Sequence, residues 1–524
     1  MWEFFFCLMP SMFLFSIAIL FRSRWICHLV EEGTRPLLWH IWIIICSILK
    51  LPHPSVFYAT GDQEPKIKLI YKPTVLANYI IQNCKALACA PLARWPKADP
   101  HLQIFFNFIW PIEEGAQTDC GITFTRDHLL IQDGGIIALD WAIRLIDQNS
   151  QAKRDHYPGE RAPGCHTSTP PIIILIPNAL GKITQNLLSL CRLALQQGFY
   201  PVVFHRRGHG GCPLATPRYQ EFGDPSDLVQ AVLYIQSHHP SSVLFAVSEG
   251  SGSGLLLSYL GECGSSSYLV AAACISPVFH GQLFFETPFP KLYHEAALLY
   301  RKLQLSRYAT ALSTVMDTEK IFSCHSLQDM EKLMFCSVRL LDTSQKDTLE
   351  QGVELRSVQT NWASYWERNE PLRDADEVAV PVLCLCSTDD PLLPPASTLP
   401  MSIFHNNPYF FLALTSQGSH CGFLQEGPQT AASWSHNAVL EYFQVVTEFF
   451  KVEERKCFME GFVGWDIVQG LRQKTGAMAH RRRRPTMLRR ERPVLGSQRQ
   501  LSSHSRLVTF EEHETFTWNR SYTR

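Results

Sequence analysis

The middle of the chain alternates between short apolar runs and segments with helical periodicity. Ile172–Ile176 is a continuous run of isoleucine and leucine, which is typical of a strand covered on both faces of a sheet. Strands are likewise predicted at Tyr200–Phe204, Val243–Val247 and Val270–Ile275, and helices through Leu195, over Asp227–Ser237 and over Gly254–Leu260. This alternation predicts a mostly parallel, doubly wound α/β sheet whose site lies at the carboxyl ends of the strands.

The alternation breaks between His280 and Asp376. Helical patterns are present at Tyr293–Leu303 and Leu327–Cys336. The segment, at about residues 280–376, resembles a helical cap that could enclose an apolar acyl chain. Its aromatic residues are equally typical of ordinary cap core, and they include Trp362, Tyr365 and Trp366. Before the core, residues 53–165 are expected to hold an N-terminal extension and the first strands, so that residues 166–450 form the core with its cap.

The N-terminus has the pattern of a membrane-directed segment. Phe4–Phe21 carries no charge, follows Glu3, precedes Arg22 and Arg24, and is about as long as a bilayer core requires. This arrangement favours an uncleaved signal anchor, with the bulk of the chain on the cytosolic side of the endoplasmic reticulum. The competing interpretation is a secreted protein with a cleaved signal peptide.

A second apolar stretch, Leu37–Leu51, completes the N-terminal segment of residues 1–52. It contains His40 and Lys50 and is short for a membrane span. Two interpretations remain open: an interfacial helix, or a short second span that would reverse the side on which the main domain lies.

Composition narrows the class of protein. The 524 residues are 46% hydrophobic and carry a net charge of −1, which fits a globular protein and gives no reason to expect nucleic acid as a partner. The 17 cysteines are scattered through apolar runs, as at Cys384 and Cys386, which favours reduced thiols. No further ligands accompany that pair, and Gly250–Gly254 lacks the Lys-Ser/Thr of a phosphate-binding loop. We expect neither a metal nor a cofactor.

The C-terminal segment, residues 451–524, is predicted to be a basic, serine-rich, disordered tail. Its arginines cluster at Arg481–Arg484, ahead of the serine-rich Gly496–Ser505. In the cytosol this tail could touch anionic lipid. Thr486 and Ser502, each with arginines upstream, are candidate phosphorylation sites whose modification would weaken that contact.

Six short motifs carry a family resemblance that extends from about His101 to Phe450. They are His101-Leu102-Gln103, Asp133-Gly134-Gly135, Arg207-Gly208-His209-Gly210, Tyr259-Leu260-Gly261, Asp389-Asp390-Pro391 and Ser419-His420-Cys421-Gly422-Phe423. With these motifs the chain resembles the α/β-hydrolase domain proteins related to membrane-anchored lipid esterases. The resemblance implies the α/β-hydrolase fold, a helical insert over the active site, and a catalytic Ser, Asp and His in that order.

The acid and the base of such a triad have clear candidates. Asp390 follows the predicted strand Val382–Cys386 and has the family's acid-to-proline spacing, with Asp389 as a close second. His420 comes thirty residues later, in a glycine-containing loop. In a working triad the carboxylate orients the imidazole, which takes the proton of the nucleophile.

The nucleophile position is the anomaly. A hydrolase elbow reads Gly-x-Ser-x-Gly, whereas this chain has Ser248-Glu249-Gly250-Ser251-Gly252 after its strand. A gapless match places Gly250 at the nucleophile. Ser248 serves if the register shifts, and Ser251 serves if the turn is remodelled. A turn with no chemistry is the third interpretation.

The oxyanion donors also depart from the family. Pro177-Asn178 stands where relatives have His-Gly, so the resemblance assigns one backbone donor to Ala179 and the other to Glu249, Ser251 or neither. Two hypotheses follow, both in lipid metabolism with a lipid or acyl-ester ligand at a membrane. One is a serine esterase or lipase that uses Asp390, His420 and Ser248 or Ser251. The other is a catalytically disabled scaffold that regulates lipolysis by binding lipid or a protein partner.

Overall fold

The structure is a computed structural model that describes residues 35–52, 67–109, 121–144, 169–336, 361–425 and 433–469. The apolar run Phe4–Phe21, Thr486 and Ser502 lie outside these residues. Internal contacts divide the chain into two units, Met1–Phe450 and Lys451–Arg524. The sheet and the site described below belong to the first unit.

The strands are β1 (Lys68–Tyr71), β2 (Ile122–Leu130), β3 (Ile136–Arg144), β4 (Ile172–Ile176), β5 (Tyr200–His205), β6 (Leu244–Glu249), β7 (Leu269–Ile275), β8 (Val382–Ser387) and β9 (Phe410–Thr415). The helices before the cap are α1 (Arg35–Leu49), α2 (Val75–Asn83), α3 (Lys85–Ala88), α4 (Pro100–Ile104), α5 (Gln185–Gln196), α6 (Ser226–His238) and α7 (Ser253–Cys263). The cap helices are α8 (Gly281–Glu286), α9 (Lys291–Ser306), α10 (Ala309–Leu312), α11 (Thr318–Ser323), α12 (Leu327–Phe335) and α13 (Trp362–Asn369), followed by α14 (Met401–Asn406) and α15 (Trp434–Gln469).

The nine described strands form one sheet in the order β1-β9-β8-β7-β6-β4-β5-β3-β2. Strands β4 to β9 pair in parallel, whereas β1, β2 and β3 are antiparallel additions at the two edges. The predicted mostly parallel, doubly wound sheet is therefore confirmed. Because β4, β6, β7 and β8 are neighbours, the loops at their carboxyl ends come together at one edge of the sheet.

Helices cover both faces of this sheet because the central strands are apolar on both sides. Along β4, Ile173 and Leu175 pack with helices α5 and α15, whereas Ile174 and Ile176 pack with α6, α7 and α14. The Thr184 side chain accepts a hydrogen bond from the Leu187 amide and so caps the first turn of α5. This two-sided burial fixes the strand tips that carry the candidate site.

The helix α1 covers part of the second predicted apolar stretch. Its Trp39 and Trp42 are buried, and the Trp42 Nε1 donates a 2.6 Å hydrogen bond to Asp99 Oδ2. Its other side leaves Ile41, Ile44 and Ile48 exposed. Within the described ranges, no helix is both long and apolar enough to cross a bilayer.

The cap helices lie between β7 and β8 in the chain. Tyr365 and Trp366 of α13 are fully buried, with Phe222 and Val278 in the same cluster. Of the two interpretations of these aromatic residues, this burial matches ordinary cap core.

Candidate active site

The acid and base candidates meet at the carboxyl ends of β8 and β9. His420 Nδ1 lies 2.8 Å from Asp390 Oδ2, and both side chains are buried. Burial by itself would lower the pKa of His420, but the Asp390 carboxylate raises it well above its ordinary value. Asp390, rather than Asp389, is the carboxylate that contacts the imidazole in this way.

Asp389 instead holds the loop that carries the base. It accepts hydrogen bonds from the Ser387 hydroxyl and from the Ser419 amide, the latter at 2.9 Å. Ser419 and Cys421 both have positive φ angles, of 54° and 61°, so the loop around His420 is strained. The Ser276 hydroxyl secures it from the other side by accepting from the Cys421 amide at 2.9 Å.

Ser276 is not among the site residues predicted from the sequence. The signal available was its place directly after β7, at the edge of the sheet where the other site residues lie.

Gly250 stands at the turn where a hydrolase nucleophile would stand. Strand β6 ends at Glu249, and Gly250 has a φ of +50°, the left-handed conformation of a strained elbow. A Cβ added at Gly250 would lie 2.7 Å from His420 Nε2, closer than real side chains come. The imidazole therefore occupies the space that a serine Cβ would need. In the gapless register, glycine is the residue that faces the base.

The small residue after the turn keeps its structural role. A Cβ added at Gly252 would lie 2.5 Å from the Pro177 carbonyl oxygen and 2.7 Å from that of Ile176. The turn and the tip of β4 are thus packed backbone to backbone, as a tight elbow requires.

Ser248 lies inside strand β6 and not at the turn. It is in register with Ile176 of β4 and Cys274 of β7, and it is fully buried. Its hydroxyl has no hydrogen-bond partner among the described residues. The shifted register that would make Ser248 the elbow residue does not match this structure, because Ser248 lies within β6 and Glu249 separates it from the turn at Gly250.

Ser251 contacts the predicted oxyanion donor rather than standing opposite the base. Its hydroxyl accepts a 2.9 Å hydrogen bond from the Ala179 amide. An amide in that position would otherwise be free to stabilise a developing oxyanion. The Ser251 hydroxyl oxygen therefore occupies the position at which the Ala179 amide would bind the oxyanion of a reacting ester.

Glu249 does not lie at the turn, so the expectation that its amide is a second oxyanion donor needs correction. It is the last residue of β6, in register with Ile275 of β7. Its side chain is 1% exposed; Oε2 accepts from the Thr184 hydroxyl at 3.1 Å and Oε1 has no partner. Burial raises the pKa of Glu249 from 4.5 to about 7.

The Glu249 carboxyl predicts a dependence of stability on pH. The folded protein keeps its proton where the unfolded chain releases it, so the free energy of unfolding falls as the pH rises from about 4.5 to about 7. In Glu249→Gln the free energy of unfolding should fall less over this pH range than in the wild type, by on the order of 3 kcal/mol. Urea denaturation of both proteins between pH 4.5 and pH 8 measures the difference. Parallel curves for the two proteins would contradict this assignment.

A cleft of about 650 Å³ lies beside the acid loop. It lies between the end of α1, the loop that joins α8 to α9 in the cap and the segment that follows Asp390. The lining is mostly apolar and includes Leu51, Pro288, Phe289, Pro391 and Leu393. Such a lining suits a hydrocarbon chain. Among the residues that the structure describes, no group of three or more His, Cys, Asp or Glu side chains could hold a metal ion.

The strand order, the strained turn after β6 and the Asp–His pair after β8 and β9 define an α/β-hydrolase fold. Human Protein ABHD15 is 44% identical over 460 residues, which is 87% of this chain and 85% of that protein. The chain therefore belongs to the α/β-hydrolase family that includes Protein ABHD15. No protein-family model matches the chain.

Other proteins are similar to the chain at lower identity. Mouse Phospholipase ABHD3 is 29% identical over 58% of this chain and 67% of its own length. The yeast medium-chain fatty acid ethyl ester synthase/esterase 2 is 24% identical over 52% of this chain and 62% of its own length. A solved structure of the Pyrococcus furiosus esterase Pf2001 covers 63% of this chain and 94% of its own, at 12% identity and a TM-score of 0.36. The sequence relatives support a lipid-hydrolase-like protein.

Proposed function

We propose that this protein is a catalytically disabled α/β hydrolase that binds a lipid ester without hydrolysing it and regulates lipolysis through that binding. The observation that carries the proposal is Gly250, which has no nucleophilic atom and faces the imidazole of His420. Acyl transfer by this fold needs a side-chain nucleophile at that turn.

The second support is the state of the oxyanion donor. The Ala179 amide donates to the Ser251 hydroxyl, so this donor is engaged within the protein itself. A preformed oxyanion hole depends on amides held ready for charge that develops only in the transition state. Loss of the nucleophile and occupation of this donor both remove transition-state stabilisation, while the scaffold around them persists.

The ligand proposed for the cleft is an ester with an apolar chain. The supports are the apolar lining beside Asp390 and the names of two relatives, a phospholipase and a fatty acid ethyl ester synthase/esterase. The membrane supplies such ligands. Exposed Ile41, Ile44 and Ile48 on α1, together with the uncharged run Phe4–Phe21, support attachment there.

The test compares turnover with binding in the full-length, detergent-solubilised protein. Hydrolysis of p-nitrophenyl butyrate is expected to be equal for the wild type and His420→Ala, whereas a fluorescent long-chain ester should bind the wild type saturably. Thr287 lines the cleft, so Thr287→Trp should weaken that binding by about tenfold or more. Thr310→Trp, at an exposed cap position, is the matched control. Turnover that depends on His420 would contradict the proposal and favour a Ser251 esterase.

A further inference from the structure

A buried polar cluster lies where the cap meets the tip of β5. Arg206, His209 and Tyr219 come from the segment after β5, Arg301 comes from α9, and Glu331 comes from α12. All except Arg301 are at least nine-tenths buried, and the Arg301 side chain is 17% exposed. Solvent therefore reaches the cluster from the side of Arg301. None of these residues belongs to the Asp–His pair or to the turn at Gly250.

Arg206 is the member without a counter-charge. It is 8% exposed, its Nη2 has no hydrogen-bond partner, and no described carboxylate forms an ion pair with it. The burial of its guanidinium lowers the pKa of Arg206 to about 10, so it is still protonated at neutral pH. A buried, unpaired charge is costly unless something pairs with it.

The carboxylates around Arg206 are already used by other side chains. Glu331 accepts from Arg301 and from the Tyr365 hydroxyl, each at 2.6 Å. Asp227 accepts two hydrogen bonds from Arg207. The cluster therefore carries one cation more than its own anions can neutralise.

The cluster adjoins the loop that holds the Ala179 amide. A Cβ added at Gly181 would lie 2.6 Å from the Cβ of His209, so the histidine packs directly on that loop. From the cap, the Tyr300 hydroxyl donates to the Leu180 carbonyl oxygen at 3.2 Å. A ligand at Ala179 that extends along this loop would reach the cluster.

We propose that Arg206, with Arg301 beside it, binds the phosphate group of a ligand at the seam between core and cap. The planar guanidinium matches phosphate oxygens with two parallel donors. Because Glu331 pairs with Arg301 and not with Arg206, the two arginines leave a net positive site for an anion. The ligand of this site is a phosphate-bearing amphiphile. That the ligand is a lipid rests on the proposed function. A free phosphate group would be bound by the same chemistry.

Isothermal titration calorimetry of the full-length protein tests the site with three probes: inorganic phosphate, dihexanoyl phosphatidate and uncharged dihexanoylglycerol. Arg206→Gln is expected to weaken binding of the phosphate-bearing probes by about tenfold or more, and to leave dihexanoylglycerol unchanged. Arg368→Gln, whose side chain is 58% exposed, is the matched control. Because Arg206→Gln removes an unpaired buried charge, its Tm without ligand should not fall.

The outcomes separate the two sources of phosphate and the two proposals. Binding of both phosphate-bearing probes means that the group alone suffices, and binding of phosphatidate only means a lipid headgroup; either result supports the site if it depends on Arg206. Equal binding by the wild type and Arg206→Gln, or a large drop in the Tm of the variant, would overturn it. Phosphate binding without any lipid binding would instead count against the proposed function.

Discussion

Arg207→Met is expected to lower the free energy of unfolding by about 3–5 kcal/mol, because it leaves a buried charge without its partner. The Arg207 side chain is 2% exposed and donates to both oxygens of Asp227, at 2.6 and 2.8 Å. It also donates to Asp133 at 2.9 Å, which ties the turn before β3 to the tip of β5. Urea denaturation at pH 7 measures the loss.

Two further variants show whether the buried pair is the cause. Arg218→Met removes a 51% exposed arginine that also contacts Asp133, and should cost less than about 1 kcal/mol. Adding Asp227→Leu to Arg207→Met removes the stranded carboxylate and should recover part of the loss. A loss for Arg207→Met no larger than that for Arg218→Met would contradict the argument.

Gly250→Ser is expected to create covalent labelling by a fluorophosphonate at position 250, where the wild type has no nucleophilic atom. The new hydroxyl would face the His420 imidazole, which Asp390 already orients. Because the added Cβ would lie 2.7 Å from His420 Nε2, the ring has to move back, and a serine at positive φ adds about 1 kcal/mol of strain. Labelling should therefore be slow.

A second substitution addresses the oxyanion donor. Ser251→Ala frees the Ala179 amide from its hydrogen bond. Added to Gly250→Ser, it should raise the labelling rate on the order of 10²-fold, which is the usual effect of one oxyanion donor. The control is Gly250→Ser with His420→Ala, which should not label. If both glycine variants fold and neither labels, the Asp–His pair is not positioned to activate position 250.

Much of the sheet could be predicted from sequence because its strands are locally distinctive. Ile172–Ile176 was predicted with its observed bounds, since a run of isoleucine and leucine is buried on both faces wherever it lies in a parallel sheet. Asp390 and His420 follow β8 and β9, and parallel strands bring such residues to one edge of the sheet. The choice of these two residues depended also on the family resemblance.

The remaining features depend on contacts between distant segments, which no local pattern encodes. The bond from Ala179 to Ser251 spans 72 residues, and the bond from Trp42 to Asp99 spans 57. The unpaired state of Arg206 depends on Arg301 and Tyr365, about a hundred or more residues away, which already bind Glu331. The sequence left open which residue stands at the turn, because Ser248, Gly250 and Ser251 all lie within four positions. The structure decides the register by ending β6 at Glu249, which places Ser248 in the strand and Gly250 at the turn.

The most direct test of a disabled elbow is fluorophosphonate treatment of the wild-type protein, followed by peptide mass spectrometry across residues 244–263. The structure predicts no adduct on Ser248, which is buried in β6, and none on Ser251, whose hydroxyl is held by the Ala179 amide. An adduct on Ser251 that disappears in His420→Ala would contradict this account, because it would mean a working, rearranged triad.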